Sequence, residues 1–153
     1  MIRSITYKKI SVYIFSILTL AVINSSIFAA NFALLIGIQD YPDTEAFKSR
    51  GFQQLSGPRN DIESIQEILL APPFDFPNEN IHVLLDKNAT HSAIEKAFAD
   101  LKNKLKPNDL VYIHYSGHGS QHEDDDEGDE IPLSIQGQLK RYDSTWVTYG
   151  SSA

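Results

Sequence analysis

Residues 111–122 read VYIHYSGHGSQH. Val111, Tyr112, Ile113 and Tyr115 are β-branched or aromatic, the residue types that fit a pleated, half-buried surface. The run then meets Gly117-His118-Gly119. Glycine inside a strand-like pattern marks a sharp turn or a close approach of backbone to another group. The segment is therefore predicted to be a strand over 110–115 that ends by exposing His118.

Working outward, NFALLIGI (31–38) is a continuous apolar run that breaks into QDYPD. It reads as a strand buried on both faces, as at the centre of a parallel sheet. In GPRNDIESIQEILLAPP, Ile62, Ile65 and Leu69 sit at helical spacing. Asn60 followed by Glu63 is a capping-box-like start, and Pro72-Pro73 ends the helix. IHVLLD (81–86) predicts a second strand. ATHSAIEKAFADLKNKL (89–105) predicts a second helix capped by Thr90 or Ser92, with Ile94, Ala97, Phe98, Leu101 and Leu105 on its apolar face. Strand, helix, strand, helix, strand is the order of an α/β fold with a mostly parallel sheet and right-handed crossovers. Beyond Gly119 the pattern weakens into an acidic, loop-like stretch, with strand candidates only at 131–135 and 145–149.

The chain has 153 residues, 42% of them apolar and 22% charged, and a formal charge of −7. Three of its basic residues, Arg3, Lys8 and Lys9, lie within the first nine positions. Setting them aside deepens the acidic balance, which excludes nucleic acid as a partner because that role needs a basic face. The chain contains no cysteine, which rules out disulfides, thiolate metal sites and a cysteine nucleophile within these residues. The basic start, the uncharged apolar ISVYIFSILTLAVI and the polar-to-small NSSIFAA follow the order of a secretory signal peptide. Residues 1–30 are accordingly expected to be a signal, cleaved after Ala29 or Ala30, and the product secreted or periplasmic. The alternative is an uncleaved membrane anchor, although the apolar core is shorter than the roughly 20 residues a span requires.

In open α/β sheets, sites form beyond the carboxyl ends of the strands. Here those ends are GIQDYPD, LDKNAT and YSGHGSQ. At the last, the glycines expose His118, and the Gly119 N–H is available to a developing oxyanion. A glycine-rich turn with an incidental histidine fits the spacing equally well. His114, His118 and His122 recur every four residues, but that spacing converges only on a helix, and this segment reads as strand and turn. There is no H-E-x-x-H, so a histidine-bound zinc is disfavoured. The run EDDDEGDE (123–130) lacks calcium-loop spacing and leaves open either a looser Ca2+ site or a solvated acidic loop. Asn60 and Asp61 suit the first turn of a helix. Asp61 equally suits a carboxylate at the ligand edge that would receive a cationic side chain.

ALLIGIQDYPD, LSGPRNDIESI, LLDKNATHSAI and DLVYIHYSGHGSQ, the last followed by DDDEGDE, occur in an order that resembles the caspase-like cysteine peptidases, specifically the metacaspase and bacterial caspase-domain branch. The resemblance runs from about residue 32 to residue 130. It implies a three-layer α/β/α domain over 31–153 and proteolysis by a cysteine–histidine dyad. His118 matches the general acid/base and Gly119 the oxyanion donor. Asp61 and Ser116 match the acidic S1 pocket that selects Arg or Lys at the cleaved bond. Calcium activation through acidic residues after the histidine is a further implication. Pro58 stands where a cysteine often precedes the family's Asn-Asp pair. The nucleophilic cysteine of the family follows the histidine by about 50 residues, whereas 35 residues follow His118 here. The expectation is an N-terminal part of a peptidase domain lacking its nucleophile-bearing strand. A non-catalytic module that binds peptides or protein partners is the alternative.

Overall fold

The computed structural model of the protein describes residues 29–123, 133–135, 138–140 and 142–150. β1 is Asn31–Gly37, α1 is Glu45–Ser49, α2 is Pro58–Leu70, β2 is Ile81–Leu85, α3 is His91–Lys104 and β3 is Leu110–Ser116. Short strands follow: β4 (Gly119–Glu123), β5 (Leu133–Ile135), β6 (Gln138–Lys140) and β7 (Tyr142–Trp146).

β1 lies between β2 and β3 and is parallel to both. This explains its continuous apolar run. Alternate side chains enter opposite layers, so each must be apolar. Leu34 and Ile36 join Leu84, Ile94 and Ala97 on the α3 side. Ala33 and Leu35 join Ile62, Leu69 and Phe76 on the α2 side. Each fully buried Leu or Ile removes enough apolar area from water to stabilise the fold by about 1.5–3 kcal/mol. The two layers and the parallel sheet between them are the predicted α/β/α arrangement.

α2 approaches the sheet closely because Gly37 has no side chain. A Cβ there would lie 2.6 Å from Ile62 Cγ1 and 3.3 Å from the Pro58 carbonyl oxygen. This contact sets the first turn of α2 beside the carboxyl ends of β1 and β3. The predicted cap is corrected: α2 starts at Pro58 with Gly57 as N-cap, and Asn60 lies inside the first turn. Proline is pre-organised for the first helical position and has no N–H to satisfy there. α3 does use the predicted Thr90, whose hydroxyl accepts from Ala93 N.

A second correction concerns the residues after His118. Gly119–Glu123 is a strand, paired antiparallel with β7 in the register Gly119↔Trp146 to Glu123↔Tyr142. Its polar sequence gave no periodic apolar signal because it pairs with a second short strand and not with the main sheet. The strand candidate at 145–149 is displaced to 142–146; of that at 131–135, the described residues 133–135 form β5. Residues 1–28 of the expected signal, 1–30, and most of the acidic run, 124–130, lie outside the described residues. Among the described residues, no helix is long and apolar enough to cross a membrane.

Candidate active site

β1 and β3 end side by side, with Gly37 opposite Ser116. The Ile38 N–H extends the pairing by donating to the Ser116 carbonyl at 2.9 Å. Beyond this point the sheet stops and the chain turns out at both strands. Asp61 comes from the first turn of α2, and its Oδ2 accepts from Ser116 Oγ at 2.6 Å. The structure thus brings together two of the residues singled out in the sequence, 55 positions apart. Asp61 is exposed, leaving its carboxylate open to solvent as well as to Ser116.

His118 sits in the turn between β3 and β4, and its ring is held on three sides. The Tyr41 ring lies 4.9 Å from it and the Phe52 ring 5.5 Å, centroid to centroid. Nε2 lies 2.7 Å from the Gln53 carbonyl oxygen. A carbonyl only accepts, so Nε2 must carry the proton in this contact. In the tautomer with Nε2–H, the lone pair of the ring lies at Nδ1.

The backbone around His118 is fixed by two hydroxyls, from buried Tyr41 and partly buried Tyr115. The His118 N–H donates to Tyr41 Oη at 2.8 Å. Tyr41 Oη in turn donates to the Val147 carbonyl at 3.1 Å. Tyr115 Oη reaches the His118 carbonyl at 2.8 Å and the Val147 carbonyl at 3.0 Å. The Val147 N–H also donates to the His118 carbonyl, at 2.9 Å. Burial pushes the Tyr41 hydroxyl above its ordinary value, and burial followed by the neighbouring Tyr41 hydroxyl does the same to Tyr115. Both therefore remain protonated donors well into the alkaline range. The orientation of the next peptide follows directly. The His118 carbonyl points at Val147, the residue after β7, so the N–H of Gly119, in the same trans peptide, points the opposite way. That donor takes no part in the β4–β7 pairing, and Gly119 is exposed.

Asp86 organises the neighbouring strand end. Its Oδ1 accepts from the N–H groups of Gln39 and Asp40 at 2.8 and 3.0 Å. Its Oδ2 accepts from Arg59 at 2.5 Å. The residue adopts φ 48°, in the left-handed region that Asp tolerates better than most residues. The loop it anchors carries Tyr41, Phe52 and Gln53. Leu55 N donates to the Gln39 carbonyl at 3.0 Å, and Gln54 Nε2 donates to the Tyr41 carbonyl at 2.7 Å, which closes the loop.

Tyr41, Phe52, Gln53, Asp86 and Tyr115 were not singled out by the sequence. Tyr41 and Asp86 do follow the carboxyl ends of β1 and β2, where a ligand edge is expected. Gln53 acts through its carbonyl, which leaves no side-chain signal. His114 faces the α2 side with Tyr112, their rings 6.4 Å apart and nearly parallel. His122 is on β4. Among the described residues, no group of three His, Cys, Asp or Glu side chains is placed to hold a metal ion.

Residues 30–148 match the family model described as the caspase domain. Metacaspase-6 of Arabidopsis thaliana is 37% identical over 106 residues, covering 63% of this chain and 26% of the relative. Metacaspase-1 of Candida albicans is 37% identical over 98 residues, covering 60% of this chain and 20% of the relative. The chain thus spans about a quarter or less of the length of these curated relatives. With the parallel sheet and flanking helices described above, the matched region identifies the chain as a member of the caspase-domain family of cysteine peptidases.

Proposed function

We propose that this chain supplies the histidine half of a cysteine–histidine endopeptidase centre. His118 is its general acid/base, Gly119 its oxyanion donor, and Asp61 with Ser116 the pocket for an Arg or Lys side chain. The observation that carries this reading is the His118–Gln53 contact at 2.7 Å, which leaves Nδ1 free to take a proton. In the proposed reaction Nδ1 accepts the thiol proton, the thiolate attacks the scissile carbonyl, and the protonated ring gives that proton to the leaving amine. The Gly119 N–H donates to the oxyanion as it forms. A carboxylate hydrogen-bonded to Ser116 and open to solvent suits a guanidinium, which pairs strongly with carboxylates.

The thiol belongs to a cysteine outside these 153 residues, as in an N-terminal fragment of a peptidase domain. The absence of cysteine equally supports a second reading, a non-catalytic module that binds basic peptides through the same Asp61–Ser116 pocket. One experiment separates the two. The chain is joined to a cysteine-bearing C-terminal part of a related caspase domain and offered peptides with Arg, Lys or Asp at the cleaved bond. Cleavage after Arg and Lys that is lost in His118→Ala supports the peptidase reading. Binding of basic peptides without cleavage supports the module.

We also propose export through residues 1–30, with cleavage after Ala29. Ala30 N–H donates to Asp109 Oδ1 at 2.8 Å, and Leu110 N–H donates to the Ala30 carbonyl at 2.9 Å. Cleavage after Ala29 would retain both contacts and place the new α-ammonium against Asp109. Cleavage after Ala30 would remove both. N-terminal sequencing of the exported protein decides, and a start at Asn31 would contradict this choice.

A further inference from the structure

Holding a catalytic imidazole requires more than a contact to its ring. Its backbone must also be fixed, because a rotation about either flanking peptide carries the ring away from its partner. In this chain the two peptides at His118 are gripped by hydroxyls from separate elements. Tyr41 Oη takes the His118 N–H at 2.8 Å, and Tyr115 Oη reaches the His118 carbonyl at 2.8 Å. The two oxygens lie 3.3 Å apart, and each also reaches the Val147 carbonyl. Gly117 fits beneath them only because it has no side chain.

We propose that the Tyr41–Tyr115 hydroxyl pair is the positioning device of the site, with Tyr41 dominant, and that it fixes the His118 backbone so that Nε2 meets Gln53 and Nδ1 faces the reaction. This deepens the reading of His118 as general acid/base and rests on it. Neither tyrosine is catalytic, since each acts through the backbone of His118. The asymmetry follows from the donors. The His118 N–H has Tyr41 Oη as its partner, whereas the His118 carbonyl keeps the Val147 N–H when Tyr115 is changed. Tyr41 also packs its ring against the imidazole, and Tyr41→Phe leaves that contact in place, so the variant isolates the hydroxyl.

The test is NMR of the full chain, read at His118 without any turnover. Three variants are compared with the wild type: Tyr41→Phe, Tyr115→Phe and Phe47→Leu. Phe47 packs on Tyr41 at 6.1 Å and is buried, so Phe47→Leu reports general loosening of the same cluster. The expected result for Tyr41→Phe is His118 amide exchange faster by about tenfold, the scale of one lost hydrogen bond. The slowly exchanging Nε2–H signal protected by Gln53 should also be lost. Tyr115→Phe is expected to show a smaller change in the same direction, and it carries the test if Tyr41→Phe does not fold. Wild-type exchange and a retained Nε2–H signal in both tyrosine variants would overturn the proposal. So would the same His118 changes in Phe47→Leu at a matched loss of Tm. A failure of the acid/base reading appears elsewhere, as His118-independent cleavage in the joined protein, and leaves these NMR outcomes unchanged.

Discussion

Replacing Gly117 by alanine places a methyl carbon 2.6 Å from Tyr115 Oη, 2.7 Å from Tyr41 Oη and 2.9 Å from Tyr115 Cζ. A comfortable carbon contact needs about 3.5 Å, so each hydroxyl must retreat by roughly 0.8 Å. The hydroxyl bonds to His118 span 2.8 Å. Lengthening them by that amount takes them past the range of a real hydrogen bond, about 3.2 Å. Overpacking alone costs about 1–3 kcal/mol, and each hydrogen bond lost adds about 0.5–1.5 kcal/mol. The expected destabilisation is about 2–6 kcal/mol, a fall in Tm on the order of 10 °C or more for a domain of this size. Gly119 is the matched control. A Cβ there meets only the Thr145 carbonyl oxygen, at 3.8 Å. Gly119→Ala should therefore stay within about 0.5 kcal/mol of the parent. The assay is urea unfolding of the parent and both variants, followed by tyrosine fluorescence and far-UV circular dichroism. Equal stabilities for the two alanine variants would refute the close approach of Gly117 to the Tyr41 and Tyr115 hydroxyls.

Alkaline pH should destabilise the fold from about pH 10 upward. Burial holds the Tyr41 and Tyr115 hydroxyls above their ordinary values. Below pH 10 both folded and unfolded states keep these protons, and above it the unfolded chain releases them first. The slope reaches up to about 1.4 kcal/mol per pH unit for each tyrosine, and a Tyr41→Phe, Tyr115→Phe double variant should lose it in urea titrations at pH 9 to 11. Asp86→Ala removes the acceptor of two backbone N–H groups and the Arg59 partner. It should cost about 2–4 kcal/mol, against less than about 0.5 kcal/mol for exposed Asp40→Ala, both read from denaturant midpoints. β3 lies at the edge of the described sheet, with Leu110 and Ile113 exposed to 53% and 43%. Sedimentation of the chain should show self-association that Ile113→Lys reduces, because a charge on an edge strand opposes strand addition. A monomer unaffected by the variant would contradict this.

The main sheet was legible because burial on both faces forces an unbroken apolar run at Ala33–Ile36, and helical spacing marks Ile62 with Leu69 and Ile94 with Ala97. The candidate site was legible where its chemistry lies in side chains with a local pattern. Gly117-His118-Gly119 announces a turn, and Asp61 lies in the first turn of a helix at the ligand edge. The supporting shell was not legible. Gln53 contributes a carbonyl, and Tyr41 and Tyr115 read as ordinary apolar residues until the fold brings their hydroxyls to 3.3 Å. β4 escaped because Ser120, Gln121 and His122 have no apolar alternation; its pairing with β7 depends on residues about twenty or more positions away. The helix-start error at Asn60 had a local cause. A capping-box pattern competed with Pro58 two residues earlier, and the preference of proline for the first helical turn won.

We propose that Asp61, in the first turn of α2, and Ser116, at the carboxyl end of β3, receive a basic side chain. The most direct measurement titrates isotope-labelled full chain with a short peptide ending in arginine, and repeats it with one ending in aspartate. The arginine peptide should give saturable amide shifts confined to the surroundings of Asp61, Ser116, His118 and Gly119, and these should be lost in Asp61→Ala. Shifts of the same size with the aspartate peptide, or arginine-induced shifts that persist in Asp61→Ala, would contradict it.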